Sequence, residues 1–216
     1  MVFLIEVKRI KCGTGNCYLL VNGRKAILVD TCRKQYEEKV RLECSDYDLK
    51  LIVLTHPHVD HAENAAALSK QFECPVAMNG KDTEVIYSFM AQPLKYDTIS
   101  GNALYRASIK SLANDKVPDF KNKVFIEEGD TLEEYGFDVK VLAFPGHTYG
   151  SIGLDVEERD LIVGDALMNF IKPTESLIWH DKDMMRGSVE KIKKIGHRMI
   201  WFGHGNPVDS SKIMNL

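Results

Sequence analysis

The feature that most constrains this chain is a group of polar residues directly behind an apolar run. Residues 56–61 are HPHVDH, and they follow Leu51–Leu54, a uniformly apolar stretch that predicts a strand buried on both faces. Three imidazoles and one carboxylate at the end of a buried strand are costly unless they have partners. A divalent cation would remove that cost, because imidazole nitrogens and carboxylate oxygens are good ligands for zinc and related metals. The pattern therefore indicates a metal site rather than an exposed histidine-rich loop.

Three further polar residues occupy the same position relative to a predicted strand. His147, Asp165 and His204 each follow an apolar run and come directly after a glycine, which lets the backbone approach whatever the next side chain binds. Five of the seven histidines thus stand at strand ends, and with two aspartates they could form one cluster. Structural zinc sites are usually closed sets of four ligands rich in cysteine. Seven nitrogen and oxygen ligands instead suit two ions that share a bridge.

The blocks HxHxDH, PGHT, GD and GHG, in this order, resemble the metallo-β-lactamase superfamily, and the resemblance covers nearly the whole chain. It implies an α/β (α+β) fold, a four-layer αββα sandwich with the site at one end of two sheets. It also implies a ligand set in which the first metal is held by His56, His58 and His147, the second by Asp60, His61 and His204, and both by a bridging Asp165. Asp30 resembles the family's strand-end aspartate, which orients the ligand loop.

The implied cofactors are two divalent metal ions, zinc in the first place, with iron or manganese as alternatives. A water bound to two cations loses a proton near neutral pH and can attack an electrophilic centre. Asp60 is the predicted catalytic residue, because its carboxylate could orient that hydroxide or carry its proton to the leaving group. We therefore predict a dinuclear hydrolase that acts on a small ester, thioester or lactone without an organic cofactor.

Two other functions are open at this stage. A mononuclear iron oxygenase of the persulfide-dioxygenase type resembles the same superfamily and uses two histidines and an aspartate on one iron. The intact second set, Asp60, His61 and His204, argues only weakly against it, and metal identity would separate the two. A non-catalytic binding module would have lost ligands, and none is lost here. The subfamily is unresolved, since Met168 stands where lactonase relatives carry tyrosine.

Composition limits the partners and the compartment. The chain has 216 residues, 44% of them apolar, which suits one globular domain over residues 1–216. A net charge of −3 without a concentrated basic face argues against nucleic acid as a partner, and no apolar run is long enough to span a membrane. Five cysteines without a CxxC pair, and no signal peptide, favour the cytoplasm. The expected partner is a small-molecule substrate, and a homodimer is left open.

The remaining predictions concern elements and individual residues. The pattern predicts a first strand over Val2–Val7, helices over Lys81–Ala91 and Arg186–Ile195, and an insertion or lid over residues 92–122. His180 and Tyr149 are candidate substrate contacts, with ordinary loop residues as the alternative. His197 is predicted to be a capping or surface residue. Cys32 stands where the family commonly has glycine, which raises the question of redox sensitivity.

Overall fold

Two β-sheets packed face to face form the centre of the molecule. The computed structural model describes residues 4–112 and 116–216. The first sheet has the strand order β1-β2-β3-β4-β5-β6, with bounds Glu6–Cys12, Gly15–Asn22, Lys25–Val29, Asp48–Val53, Val76–Met78 and Lys123–Phe125. The second sheet has the order β13-β12-β9-β8-β7, with β7 at Val139–Ala143, β8 at Ile152–Val156, β9 at Asp160–Gly164, β12 at Met199–Phe202 and β13 at Val208–Asp209. A short pair, β10 (Leu167–Met168) and β11 (Thr174–Glu175), lies between β9 and β12 in the chain.

Helices cover the outer face of each sheet. They are α1 (Glu37–Cys44), α2 (Val59–Ala62), α3 (Ala65–Phe72), α4 (Thr83–Tyr87), α5 (Ile99–Leu112) and α6 (Lys182–Lys194). Successive side chains of a strand point to opposite faces, and β3 shows the consequence. Ile27 packs between the sheets with Leu154 of β8, whereas Leu28 packs outward with Val40 of α1 and Leu68 of α3.

The second sheet follows the same rule. Ile162 of β9 belongs to the cluster between the sheets, and its neighbour Leu161 packs with Val189 and Ile192 of α6. The molecule therefore has four layers in the order helix, sheet, sheet, helix. This confirms the predicted αββα sandwich, and its two-sided burial explains uninterrupted apolar runs such as Ala26–Val29 in β3 and Leu51–Val53 in β4.

Strand direction brings the ends of β4, β7, β9 and β12 to one edge of the sandwich. β12 is parallel to β9, and β7 runs in the same direction because it is antiparallel to β8, which is antiparallel to β9. The two sheets are joined at this edge, where the amide of Ile152 donates to the carbonyl of Thr55 at 2.9 Å and the amide of Asn16 donates to the carbonyl of Gly203 at 2.9 Å. Residues that follow these strands therefore converge.

Three predicted elements need correction. The first strand is Glu6–Cys12 rather than Val2–Val7 (residues 1–3 lie outside the described part), because Cys12 still pairs with Gly15 across a tight turn. The predicted helix over Lys81–Ala91 is only α4 with a 3₁₀ turn on each side, since Ser88 has extended backbone angles. Helix α6 begins at Lys182, four residues earlier than predicted, because the Asp181 carboxylate caps its first turn by accepting from the Met184 amide at 2.9 Å.

The described part of the segment 92–122, predicted to be an insertion or lid, contains a regular helix. This is the fourteen-residue helix α5, while residues 113–115 lie outside the description. The backbone of Lys95 exchanges two hydrogen bonds with Trp179, at 2.6 and 3.0 Å, and Lys182 pairs with Asp97. These contacts hold the segment against the loop that precedes α6. Within the described ranges, no helix is long and apolar enough to cross a membrane.

Candidate metal centre

The structure brings all seven predicted ligand residues together at the shared edge of the two sheets. His56 and His58 lie in the loop after β4, and Asp60 and His61 lie on the short helix α2. The other three, His147, Asp165 and His204, lie just beyond β7, β9 and β12. The five histidines and Asp165 are buried, whereas the side chain of Asp60 keeps 29% of its surface exposed.

The ligand atoms fall into two groups of three. One group is His56, His58 and His147, and the other is Asp60, His61 and His204; within each group the candidate atoms lie within 4.8 Å of one another. Asp165 stands between the groups. Its Oδ2 lies 3.7 Å from His147 Nε2 and 3.4 Å from His204 Nε2, and its Oδ1 lies 3.6 Å from His61 Nε2. The carboxylate is therefore placed to contact an ion in either group.

Hydrogen bonds on the far side of the rings set the direction of the imidazoles. His61 Nδ1 donates to Asp30 Oδ2 at 2.9 Å, His147 Nδ1 to the Ile178 carbonyl at 3.0 Å, and His204 Nδ1 to the Thr14 carbonyl at 3.0 Å. In each ring a proton on Nδ1 leaves the lone pair on Nε2, which is the atom that faces the cluster. The surrounding protein thus selects the tautomer that a metal needs.

Asp30 holds several of these groups at once. Besides His61, its carboxylate accepts from the amide of Thr55 at 2.8 Å and from the Thr55 hydroxyl at 2.9 Å. The Thr55 hydroxyl also lies 3.2 Å from His56 Nδ1. Asp30 itself adopts φ 59°, a left-handed conformation that is uncommon for a residue with a side chain. The predicted orienting role of Asp30 is therefore matched by direct contacts with the ligand loop.

Unsatisfied polar atoms show that the cluster fits cations. Among the described residues, His56 Nε2, His61 Nε2 and Asp165 Oδ1 are buried and have no hydrogen-bond partner. His58 Nδ1 and His147 Nε2 lie only 3.0 Å apart, as two nitrogens aimed at one point would. Leaving buried polar atoms unpaired costs about 1–3 kcal/mol each. Two divalent ions would satisfy these atoms together, so the residues present fit the metals that the resemblance implies.

The charge states agree with this interpretation. Burial lowers the pKa of His56 far below its ordinary value and that of His58 to about 3, so both rings are neutral. Burial acts in the same direction on His61, but the nearby carboxylates, led by that of Asp165, outweigh it and raise its pKa to about 9, so a cation that binds at Nε2 would displace the second proton of this ring. Burial would raise the pKa of Asp60 and Asp165, yet the imidazoles keep both pKa values below the ordinary range. The carboxyl groups of Asp60 and Asp165 are therefore ionised and can bind cations.

A cavity of about 410 Å³ opens onto the cluster, which is within the usual size for small-molecule sites. Five of the seven cluster residues line it: His58, Asp60, His147, Asp165 and His204. The predicted lid segment contributes Leu94, Leu104, Ala107 and Ser108 to the wall, and Arg33 adds a cationic side chain. Small molecules that enter this cavity would thus meet the exposed side of Asp60.

Four other residues named in the sequence analysis are not among the seven cluster residues: His180, Tyr149, His197 and Cys32. His180 Nδ1 donates to the Pro93 carbonyl at 3.1 Å, and its ring packs edge-on against Tyr149 at 4.5 Å between centroids. Both residues contact the segment 92–122, since the amide of Tyr149 donates to Gln92 Oε1 at 2.7 Å. His197 is 82% exposed and pairs with Asp209, in agreement with the surface role predicted for it. Cys32 is buried beside two other cysteines.

Sequence reasoning did not identify Asp82, which anchors the loop that carries His147. Its carboxylate accepts from the Thr148 hydroxyl at 2.6 Å, the Gly150 amide at 2.7 Å and Gln92 Nε2 at 3.0 Å. Burial raises the pKa of this carboxyl even though all three groups donate to it. Asp82 lies 65 residues before His147 in the chain and belongs to no recognisable motif, so the sequence carried no indication of the contact.

Asp82→Asn is expected to destabilise the fold by about 1–3 kcal/mol, because an amide NH₂ would face donors that now find a carboxylate oxygen. Urea unfolding measures the loss, and Asp46→Asn, at an exposed position, is the control that removes the same charge. Equal stability of the two variants would show that the three donors do not depend on the carboxylate.

Comparison with known proteins agrees with this geometry. A sequence profile described as the metallo-beta-lactamase superfamily matches residues 10–204, so the chain belongs to this superfamily. A probable metallo-hydrolase, MJ0888 of Methanocaldococcus jannaschii, is 27% identical over 201 residues, which cover 89% of this chain and 88% of that protein. The hydroxyacylglutathione hydrolase GloC of Haemophilus influenzae is 29% identical over 166 residues, 76% of this chain and 71% of GloC. Together they confirm the prediction of a metal-dependent hydrolase.

A solved structure shows the same fold. The crystal structure of TTHA1623 in a di-iron-bound form superimposes with a TM-score of 0.68, at 22% identity, over 95% of this chain and 96% of that one. At this identity the likeness concerns the fold alone. The chain therefore belongs to a metal-binding superfamily and has a histidine–aspartate cluster that could hold metal ions.

Proposed function

We propose that this chain is a dinuclear hydrolase that cleaves a small ester, thioester or lactone, with a thioester as the first choice and zinc as the metal. The observation that carries the proposal is the pair of three-residue groups joined by Asp165. In this proposal His56, His58 and His147 hold one ion, and Asp60, His61 and His204 hold the other. When bound, the two ions supply an activated water and polarise the substrate's carbonyl group.

The chain's own residues would orient the metal ligands and the attacking water, and would protonate the leaving group. Asp60 Oδ2 lies 3.5 Å from His204 Nε2, and its partly exposed side chain faces the cavity. An ionised carboxylate there can accept a proton from the attacking water and deliver it to the leaving thiolate or alkoxide. Asp30, Thr14 and the Ile178 carbonyl hold the imidazoles by their outer nitrogens, so that the ligand geometry is set before substrate arrives.

Two features support a thioester that carries a carboxylate. GloC, a relative at 29% identity, is named for action on hydroxyacylglutathione. The cavity also combines apolar side chains, among them Met168 and Phe170, with the guanidinium of Arg33, which pairs with Glu63 at 3.2 Å. A guanidinium has five N–H donors, so Arg33 can bind a substrate carboxylate while it keeps its contact with Glu63. The five cysteines are all free thiols, which supports a reducing compartment and hence the cytoplasm.

The test is turnover of zinc-reconstituted protein on a hydroxyacylglutathione thioester, a matched oxygen ester, a lactone, a phosphodiester and a β-lactam. We expect the thioester to be cleaved fastest, the activity to disappear with a chelator, and zinc to restore it. If the thioester, the oxygen ester and the lactone are all left intact by protein with both metals bound, the hydrolase proposal is wrong. Oxygen uptake by iron-loaded protein with a persulfide would instead support the oxygenase alternative.

We also propose that the segment 92–122 covers the substrate. Ala107→Phe on α5 is expected to place a ring in the cavity and to raise KM by roughly 10-fold or more, because the ring would occupy space that substrate needs and 10-fold corresponds to about 1.4 kcal/mol of lost binding. Metal content should stay unchanged. Ala103→Phe, one turn earlier on the same helix, is the matched control, because both positions are exposed but only Ala107 is among the cavity's lining residues. Equal KM values in the two variants would contradict a covering role.

A further inference from the structure

Three of the five cysteines converge outside the metal centre. The Sγ atoms of Cys12, Cys17 and Cys32 lie within 4.8 Å of one another, and the exposed fractions of the three residues are 4%, 0% and 1%. We propose that this thiol cluster (Cys12, Cys17 and Cys32) is a separate metal site, which binds one soft monovalent cation of the copper(I) class through three sulfurs. The proposal does not depend on the reaction assigned to the histidine–aspartate centre.

The hairpin of β1 and β2 holds the first two thiols apart. Cys17 pairs with Ile10 and Cys12 with Gly15, so the two cysteines are diagonal neighbours on one face of the hairpin. Diagonal positions have Cβ atoms several ångströms further apart than the roughly 4 Å that a disulfide needs. The sulfurs can still approach one another, and they are therefore spaced as ligands around an ion rather than as the two halves of a disulfide.

Cys32 supplies the third sulfur of the thiol cluster, and its backbone has an unfavourable conformation. It follows β3 and adopts φ 57°, in the left-handed region where glycine is preferred. A side chain at such a position carries an energetic cost, and a strained residue is a reason to look for a function. Here the residue with the strained backbone is also the one whose side chain provides the third sulfur of the cluster.

The donor set selects the cation. Thiolates prefer soft metals, chiefly copper(I) and zinc, and structural zinc requires four ligands. In the described part of the chain this group contains three cysteines and no fourth histidine, cysteine or carboxylate. A metal–sulfur bond of about 2.3 Å places three trigonal sulfurs about 4 Å apart, within the spacing found here. Three-coordinate copper(I) therefore fits better than tetrahedral zinc.

One of the three thiols is predisposed to ionise. The neighbouring thiols of Cys17 and Cys32, helped by the ammonium of Lys39, hold the pKa of the Cys12 thiol below its ordinary value. Burial raises the pKa of Cys17, and the Cys12 side chain raises that of Cys32. Lys39 is held in place by a bond from Nζ to the Lys11 carbonyl at 2.8 Å. Binding would ionise the two remaining thiols and release their protons to solvent. The copper would remain in the +1 state, and Lys39 would offset part of the resulting negative charge.

The thiol cluster borders the histidine–aspartate centre without sharing a ligand with it. Thr14, between Cys12 and Cys17, accepts from His204 Nδ1, and the amide of Thr31, next to Cys32, donates to the His61 carbonyl at 2.6 Å. Copper in the thiol cluster should therefore leave the ligands of the other centre in place. This separation makes zinc content a useful control.

The experiment uses zinc-loaded, reduced protein titrated with copper(I) under anaerobic conditions against a chromogenic copper(I) chelator. We expect one retained equivalent of copper, a sulfur-to-copper absorption band in the ultraviolet, and unchanged zinc content. Cys32→Ser and Cys12→Ser should each weaken copper binding by more than the roughly 10–100-fold typical of outer-shell partners. Cys44→Ser, at another buried free cysteine outside the cluster, should bind as the parent does.

Thermal unfolding of each variant shows whether it is folded, and copper should raise the melting temperature of the parent and Cys44→Ser only. Absence of retained copper, retention by Cys12→Ser and Cys32→Ser, or uptake at the expense of zinc would overturn the proposal. A disulfide within the cluster in protein purified without oxygen would overturn it as well, because the thiols would then be unavailable to a metal.

Discussion

Asp60→Asn is expected to lower turnover by about 10²–10⁴-fold while the fold is retained. The side chain lines the cavity and remains 29% exposed, so its replacement removes little packing. Asparagine keeps the shape but cannot accept the proton of the attacking water or carry it to the leaving group. The carboxylate also lies 3.5 Å from His204 Nε2, and we therefore expect weaker retention of the second ion.

Steady-state kinetics and metal analysis on the same preparation separate the two effects. Excess zinc would restore activity if Asp60 serves only to hold the ion, and would leave kcat low if it also transfers the proton. Asp46→Asn, an exposed position, is the matched control for loss of one negative charge and should behave as the parent does. Unchanged turnover in Asp60→Asn would remove this residue from the mechanism.

Gly203→Ala is expected to disrupt the metal centre from the backbone side. A Cβ at this position would lie 2.1 Å from Asp165 Oδ1 and 2.8 Å from His61 Cε1, distances that require both side chains to move. The backbone cannot retreat, because the Gly203 amide donates to the Gly164 carbonyl at 2.9 Å and its carbonyl accepts from Asn16. Displacement of catalytic groups by about 1 Å can cost about 100-fold in rate, so we expect at least that loss.

The rise in melting temperature on zinc binding tests the metal centre independently of catalytic activity. Zinc should raise the melting temperature of the parent protein, and this rise should be reduced or lost in Gly203→Ala. Gly187→Ala is the matched control, since no atom lies within 4 Å of its added Cβ and alanine stabilises a helix interior by about 1 kcal/mol. A full zinc response in Gly203→Ala would show that the cluster adapts to the methyl group.

Much of the candidate site was predictable because its residues follow strands that local patterns reveal. The HPHVDH stretch comes after an uninterrupted apolar run, and Asp165 and His204 each follow another. Short-range alternation and turn residues indicate strands without knowledge of their partners. Once the strands are placed in two facing sheets, their carboxyl ends share an edge, and the ligands must converge there.

The boundaries of helices and strands were less predictable than their existence, because they depend on contacts that form only in the folded protein. β1 extends to Cys12 since its ladder with β2 runs up to the turn, and α6 starts at Lys182 because Asp181 caps it. Neither contact changes the hydrophobic pattern of its element. The helix predicted over Lys81–Ala91 was wrong for a related reason, since Ser88 takes an extended conformation that its composition does not indicate.

By itself, then, the sequence determined the four-layer class, the candidate ligands and the superfamily, because these depend on residue type and on spacing along the chain. Only the tertiary structure decided that Asp82 anchors the His147 loop, that α5 lines the cavity, and that three cysteines from β1, β2 and the loop after β3 meet. Each of these depends on which distant segments lie side by side. That arrangement is set by strand register and by the packing of the whole core, which no local pattern encodes.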